Sequence, residues 1–207
     1  MTAMGLLDFI RRPLDESARA AAPAAEVDDD RLAGRWRIDP DRSTLGFSAR
    51  YAMVITVNGR FTSFEGGGVL DPGRPEVSSA EVVIDAASVD TGVADRDAHL
   101  RSSDFFGVRR HPRLSFTSTL VERVPPAIWR VTGDLSVREV TRPVTVDFVL
   151  TGLELDPDGR PRAAFSGSTS IDRKDWGLTW NAALETGGVL VGETIRLTLD
   201  VSAVRED

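Results

Sequence analysis

The stretch PVTVDFVLTG, Pro143 to Gly152, decides the fold. Val144, Val146, Phe148 and Leu150 share one parity, and Thr145, Asp147 and Val149 the other. Side chains on a strand point alternately to its two faces, so this spacing predicts a strand with one buried and one wet face. A helix would repeat its apolar positions three and four apart instead. ETIRLTLDVSAV, from Glu193, sets Ile195, Leu197, Leu199 and Val201 against Thr194, Arg196, Thr198 and Asp200. RLSFTSTLVERV, from Arg113, and SAEVVIDAASV, from Ser79, alternate in the same way. Turn-forming runs separate these segments: DPGRP from Asp71, REVTRP from Arg138 and DPDGRP from Asp156. Strands are predicted near 34–39, 43–51, 57–70, 79–87, 112–123, 127–137, 143–153, 161–172 and 193–204. EGGGVL, from Glu65, predicts a bulge or sharp bend within one of them. Long strands in steady succession point to an all-β chain closed into an antiparallel barrel, because closure removes sheet edges. About eight strands leave an interior that side chains fill or that holds one ligand, and alternation does not separate the two.

Charge and composition narrow the function. The 207 residues carry 32 acidic against 25 basic side chains, a net charge of -7. That balance excludes a dedicated nucleic-acid binder, which needs clustered Lys and Arg. The chain has no cysteine, so disulfides, thiolate zinc sites and cysteine nucleophiles are excluded together. Residues 1–33 are rich in Ala and charge and poor in large apolar side chains, which predicts a flexible tail ahead of a barrel domain at 34–207. Leu6, Leu7, Phe9 and Ile10 would give that tail a weak membrane or partner contact. No apolar run approaches the ~20 residues of a transmembrane helix. MGLLDFIRRP lacks the basic start and long apolar core of a secretory leader, so a cytoplasmic protein is expected, unless translation starts elsewhere.

DRDAHLRSSDFFGVRRHP, Asp95 to Pro112, holds both histidines and a Phe-Phe pair. His99 and His111 with Asp95, Asp97 and Asp104 show no recognised metal-ligand spacing. Ser102 and Ser103 flank His99, but no G-x-S-x-G elbow is present, and FSGSTS from Phe165 lies within a strand pattern. The segment instead predicts the one helix, within 92–107, capped by Asp90 or Thr91 and followed by Phe105 and Phe106 at one barrel end. His99 and Arg101 are expected to bond backbone groups there, and Pro112 to end the crossing.

DTGVADRDAHLRSSDFF, HPRLSFTST, GDLSVREVTRPVTVDF and FSGSTSIDRKDWGLTWN together resemble the YceI-like family, as do WRIDPDRSTLGFSARYAMV and GRFTSFEGG near the start. These motifs keep the family's order across about residues 34–204. The resemblance implies an extended eight-stranded antiparallel, lipocalin-like barrel with a short helical segment across one end. It implies a bacterial, often dimeric protein that binds a polyisoprenoid, isoprenoid quinone or other long apolar lipid for transport, storage or sensing, with no cofactor and no catalysis. Arg42 and Tyr51 stand where family members often carry histidines, so head-group contacts there are expected to differ. On this reading Phe47, Met53, Phe61, Phe64, Phe116, Val146 and Phe148 line the wall, and Leu100, Phe105, Phe106, Trp176 and Trp180 line or close the ends. The competing readings are a solid barrel acting as a protective scaffold, and a hydrolase with a Ser-His-Asp site assembled in space.

Overall fold

Trp36 lies opposite Arg205, and that pairing of the first strand with the last closes the sheet on itself. The computed structural model describes residues 29–52, 55–182 and 190–206. Its strands are β1 (Gly34–Ile38), β2 (Thr44–Tyr51), β3 (Ile55–Phe61), β4 (Phe64–Leu70), β5 (Ser79–Asp85), β6 (Val89–Asp90), β7 (Arg113–Val124), β8 (Ile128–Val137), β9 (Val140–Leu155), β10 (Pro161–Asp172) and β11 (Val191–Arg205). All neighbours pair antiparallel. Three pairs of segments, β1–β2, β3–β4 and β5–β6, are single barrel strands broken by short kinks, so eleven segments make eight staves. The first kink is a turn at Pro40–Arg42, where proline presets the backbone and the Asp39 carboxylate accepts the Asp41 N–H. The long β11 serves both halves of the first stave, pairing with β2 through Val191–Asp200 and with β1 through Ala203–Arg205.

EGGGVL carries no bulge; its glycines serve close approach of the neighbouring strands. The ladders of β4 to β1 and β5 run without a slip. A Cβ at Gly66, Gly67 or Gly68 would meet the carbonyl oxygens of Glu81, Trp36 and Ser79 at 2.3, 2.4 and 2.0 Å. Only glycine admits neighbouring backbones that close. The register shifts fall at Thr151 in β9, opposite Ala164/Phe165, at Ser118/Leu120 in β7 and at Val191/Ile195 in β11.

The one α-helix among the described residues, α1 (Ala94–Arg101), follows β6 and crosses one end of the barrel. Acidic Asp95 and Asp97 in its first turn and basic His99 and Arg101 in its last suit the helix dipole. Its N-cap is Val93 and not Asp90 or Thr91. The expected cap chemistry is inverted: the Asp97 carboxylate accepts both the N–H and the hydroxyl of Thr91, tying the helix back onto its own approach.

The barrel's far end is sealed by a cluster of Leu32, Trp36, Val121, Trp129, Val131, Ala163 and Ala203. Leu32 is fully buried, in a short turn at Asp29–Leu32 whose Leu32 carbonyl accepts the Trp36 indole N–H at 2.8 Å. Leu32, assigned by the sequence to the tail, thus packs on the barrel. Residues 1–28 of the predicted tail, with Leu6, Leu7, Phe9 and Ile10, lie outside the described residues.

Candidate functional site: an apolar lumen with one mouth

The interior is hollow. A single cavity of about 720 Å³ runs from Trp36 and Trp129 at the sealed end to Tyr51 and Val93 at the other. That volume lies within the range of about 300–1,000 Å³ that small-molecule sites occupy. The strand parity read from the sequence builds its walls. Ile195, Leu197, Leu199 and Val201 of β11 face inward, as do Leu45, Phe47, Ala49 and Tyr51 of β2 and Val144, Val146 and Phe148 of β9.

Of the residues expected to line or close the lumen, Phe47, Phe61, Leu100, Phe105, Phe106, Phe116, Val146, Phe148, Trp176 and Trp180 all border the cavity. Phe47, Phe61 and Phe106 form a run of ring contacts along one wall, each 5.7 Å from the next. Phe64 is not on the lining. It is buried against Ile38 and Leu45, which do border the cavity. Met53 lies outside the described residues. The parity of β11 was visible in sequence, and its four inward residues could have been found from that signal alone. Trp36 and Trp129 also border the cavity, and no local pattern marked them.

The mouth is polar on one side. Thr91, Asp95, Arg96 and His99, from α1 and the residues before it, border the lumen. The Arg96 guanidinium donates to the Thr91 hydroxyl at 2.7 Å and to the Thr91 carbonyl at 2.9 Å. Arg101 donates to the carbonyls of Ala87 and Val89, both at 2.7 Å, as expected for a residue holding the crossing in place. His99 does something else. Its Nε2 pairs with the Asp104 carboxylate at 2.9 Å, and its ring meets Trp180 edge-on at 4.4 Å and Phe105 at 5.1 Å. Among the described residues no serine hydroxyl bonds His99, and no three His, Asp or Glu side chains converge as metal ligands. Tyr51, at a position where a histidine was the comparison, stands at the mouth; Arg42 sits outside the barrel, 3.9 Å from Glu154.

Arg173 is the polar residue that sequence reasoning missed. It is 3% exposed, and its guanidinium donates to the carbonyls of Leu178, Trp180, Val191 and Gly192. Burial pushes its pKa down, against the opposing charges of Glu193 and Asp172. In the charged run Asp172–Asp175, Lys174 pairs with Glu193 at 2.5 Å. Arg173 instead points inward and staples the chain that brings Trp176, Leu178 and Trp180 over the mouth. A fork with five donors suits four carbonyls gathered from two segments of chain.

A closed eight-stranded antiparallel barrel with an apolar lumen and a helix across its mouth is the lipocalin-like class of fold. Residues 36–203 match the YceI-like domain, and the chain belongs to that family. A UPF0312 protein of Ectopseudomonas mendocina is 35% identical over 79% of each chain. One from Yersinia enterocolitica is 35% identical over 84% of this chain and 88% of its own. BcnA of Burkholderia cenocepacia has a similar structure, with a TM-score of 0.70 at 21% identity, covering 80% of this chain and 98% of that one. A polyisoprenoid binding domain from Saccharophagus degradans has a TM-score of 0.62 at 18% identity, covering 83% and 98%.

Proposed function

We propose that this chain is a container for one long-chain apolar lipid, a polyisoprenoid or isoprenoid quinone, which it carries, stores or senses. The observation behind this reading is the continuous lumen of about 720 Å³, lined predominantly by apolar side chains from Trp36 to Leu100, with Thr91, Asp95, Arg96 and His99 at its mouth. At about 30 Å³ per water-sized group, that space holds on the order of two dozen methylenes. Each methylene removed from water contributes about 0.8 kcal/mol, from which the ordering of a flexible tail subtracts a large part. The tail lies along the Phe47–Phe61–Phe106 wall and the head group rests near Thr91, Arg96 and His99. The polyisoprenoid binding domain of Saccharophagus degradans, alike in fold, supports this ligand class. The proposal includes a bacterial, cytoplasmic homodimer without catalysis, and a weak membrane contact through the N-terminal segment.

Native mass spectrometry of gently purified protein tests it. The expected spectrum shows a bound species with the mass of a long-chain lipid, displaced by an added isoprenoid alcohol. Protein that is empty as purified and takes up no such alcohol would sink the container. A hydrolase reading predicts turnover in a panel of long-chain esters that His99→Ala abolishes; no turnover is expected from either protein.

A further inference from the structure

The mouth end carries two surface features that the lumen does not explain. The first is apolar. Val191, Tyr51 and Ile55 are cross-strand partners on adjacent strands, so their side chains share the face that lower down lines the cavity. Tyr51 is 38% exposed and Ile55 54%, and Val93, ahead of α1, is 47% exposed. The greasy wall thus runs out of the barrel onto a lip in contact with water.

The second feature is basic. Arg113 opens β7, and the ladder that pairs Ser115 with Ser136 brings it beside Arg138 in the β8–β9 turn. Arg142 pairs with Leu135 on the same rim. Val108 packs on the cluster that holds Val137 and Val140, which sets Arg109 and Arg110 next to that turn. Among the described residues none of these five arginines lies within ion-pair distance of a carboxylate. Asp85, the cross-strand partner of Arg113, turns its carboxylate to the Ala87 N–H. Five unpaired cations on one rim stand out in a chain of net charge -7.

We infer that the mouth end is a docking surface for an anionic lipid bilayer, with the arginines on lipid phosphates and Tyr51, Ile55 and Val93 set into the acyl boundary. Basic side chains near an anionic leaflet attract it over about a Debye length, and exposed apolar side chains then partition into the interface. The net negative charge elsewhere keeps the other faces off the membrane and orients the mouth toward it. A nucleic acid would meet the arginines but gain nothing from the apolar lip beside them. The inference rests on the container reading for its purpose, since a bilayer is where a long lipid is found.

Flotation of the full chain with vesicles tests it. Vesicles of phosphatidylcholine with phosphatidylglycerol are expected to carry the protein at low salt and release it at high salt, and phosphatidylcholine alone to carry little. Arg109→Glu with Arg110→Glu is expected to lower partitioning about tenfold or more. Ile55→Asp on the lip is expected to lower it as well, and Leu155→Asp at the sealed end, 64% exposed, to leave it unchanged. These side chains are exposed, so melting temperatures should stay close to that of the parent. Binding that survives both mouth changes overturns the inference. So does binding to single-stranded RNA, with the same arginine dependence, by a protein that ignores vesicles. A lipid found inside a chain that never docks removes the docking surface alone; docking by a chain that never takes a lipid removes the container alone.

Discussion

Three phenylalanines of the lumen lie flat because a glycine faces each of them. A Cβ at Gly59 would come within 2.4 Å of the Phe47 ring, at Gly133 within 2.5 Å of Phe116, and at Gly167 within 2.6 Å of Phe148. Gly59 and Gly167 are the direct cross-strand partners of their rings. Without a side chain beneath it, each ring rests against the neighbouring strand and leaves the axis free. Gly167→Val should push Phe148 into the lumen, destabilise the fold by about 1–3 kcal/mol and shorten the longest lipid probe retained. Thermal melts and a chain-length series of fluorescent lipids read both effects. A second residue-scale device is the Asp39–Arg162 pair, 2.7 Å apart beneath the first kink, with Arg162 also donating to Ser202. Burial raises the Asp39 pKa, but the Arg162 hydrogen bond and charge and the Asp41 N–H outweigh it and hold the group below 3.8. Asp147, through Arg130, and Asp156, through the Arg160 N–H against burial, shift the same way. A depressed carboxylate stabilises the fold above its unfolded pKa and loses that contribution as pH falls through its folded one. Melting temperature should therefore hold down to about pH 4 and fall below it. Asp39→Asn strands a buried guanidinium and should cost about 3 kcal/mol at neutral pH. An unchanged melting temperature at pH 7 would show that the pair contributes nothing.

At the scale of elements, strands were legible and the mouth was not. Alternation from Val144 to Leu150 and from Ile195 to Val201 located β9 and β11 because each strand has one apolar face. The first kink, between the strands read at 34–39 and 43–51, was legible at Pro40, and the second was not: 57–70 reads as one strand, and it is broken where Thr62 bonds the Ser88 carbonyl, a contact 26 residues away. The segment Arg173–Ala182 has no period at all. Its place depends on Arg173 meeting carbonyls up to 19 residues on, which no local pattern encodes. Arg173→Lys keeps the charge and loses the fork. It is expected to destabilise by about 2–4 kcal/mol and to leave Trp180 more open to a soluble quencher. Unaltered quenching would show that the segment is held by its tryptophans alone.

Across the whole molecule the two ends differ in kind. Leu32, Trp36 and Trp129 close one with interlocked apolar side chains. The other is covered by α1, tied down by the hydrogen bonds of Asp97 and Arg101, and by the Arg173 loop, whose Trp176 and Leu178 pack on Val137, Val144 and Val146. Leu32→Ala should cost about 2–5 kcal/mol and open the sealed end to water, measured by denaturant melts and by quenching of Trp36. Whether the barrel was hollow was beyond the sequence, since Phe47 and Phe148 fill or spare the axis according to which neighbour is glycine. The ladder itself has one gap. β3 is paired on its outer side only at Arg60–Asp90 and Phe61–Val89, so among the described residues Ile55–Gly59 have no strand partner on that side. Parting the wall along that seam breaks side-chain contacts and no strand hydrogen bonds. Guest exchange and global unfolding are thereby separate processes: amides of α1 should exchange with solvent long before those of β10, and a barrel that resists heat can still trade its cargo at ordinary temperature.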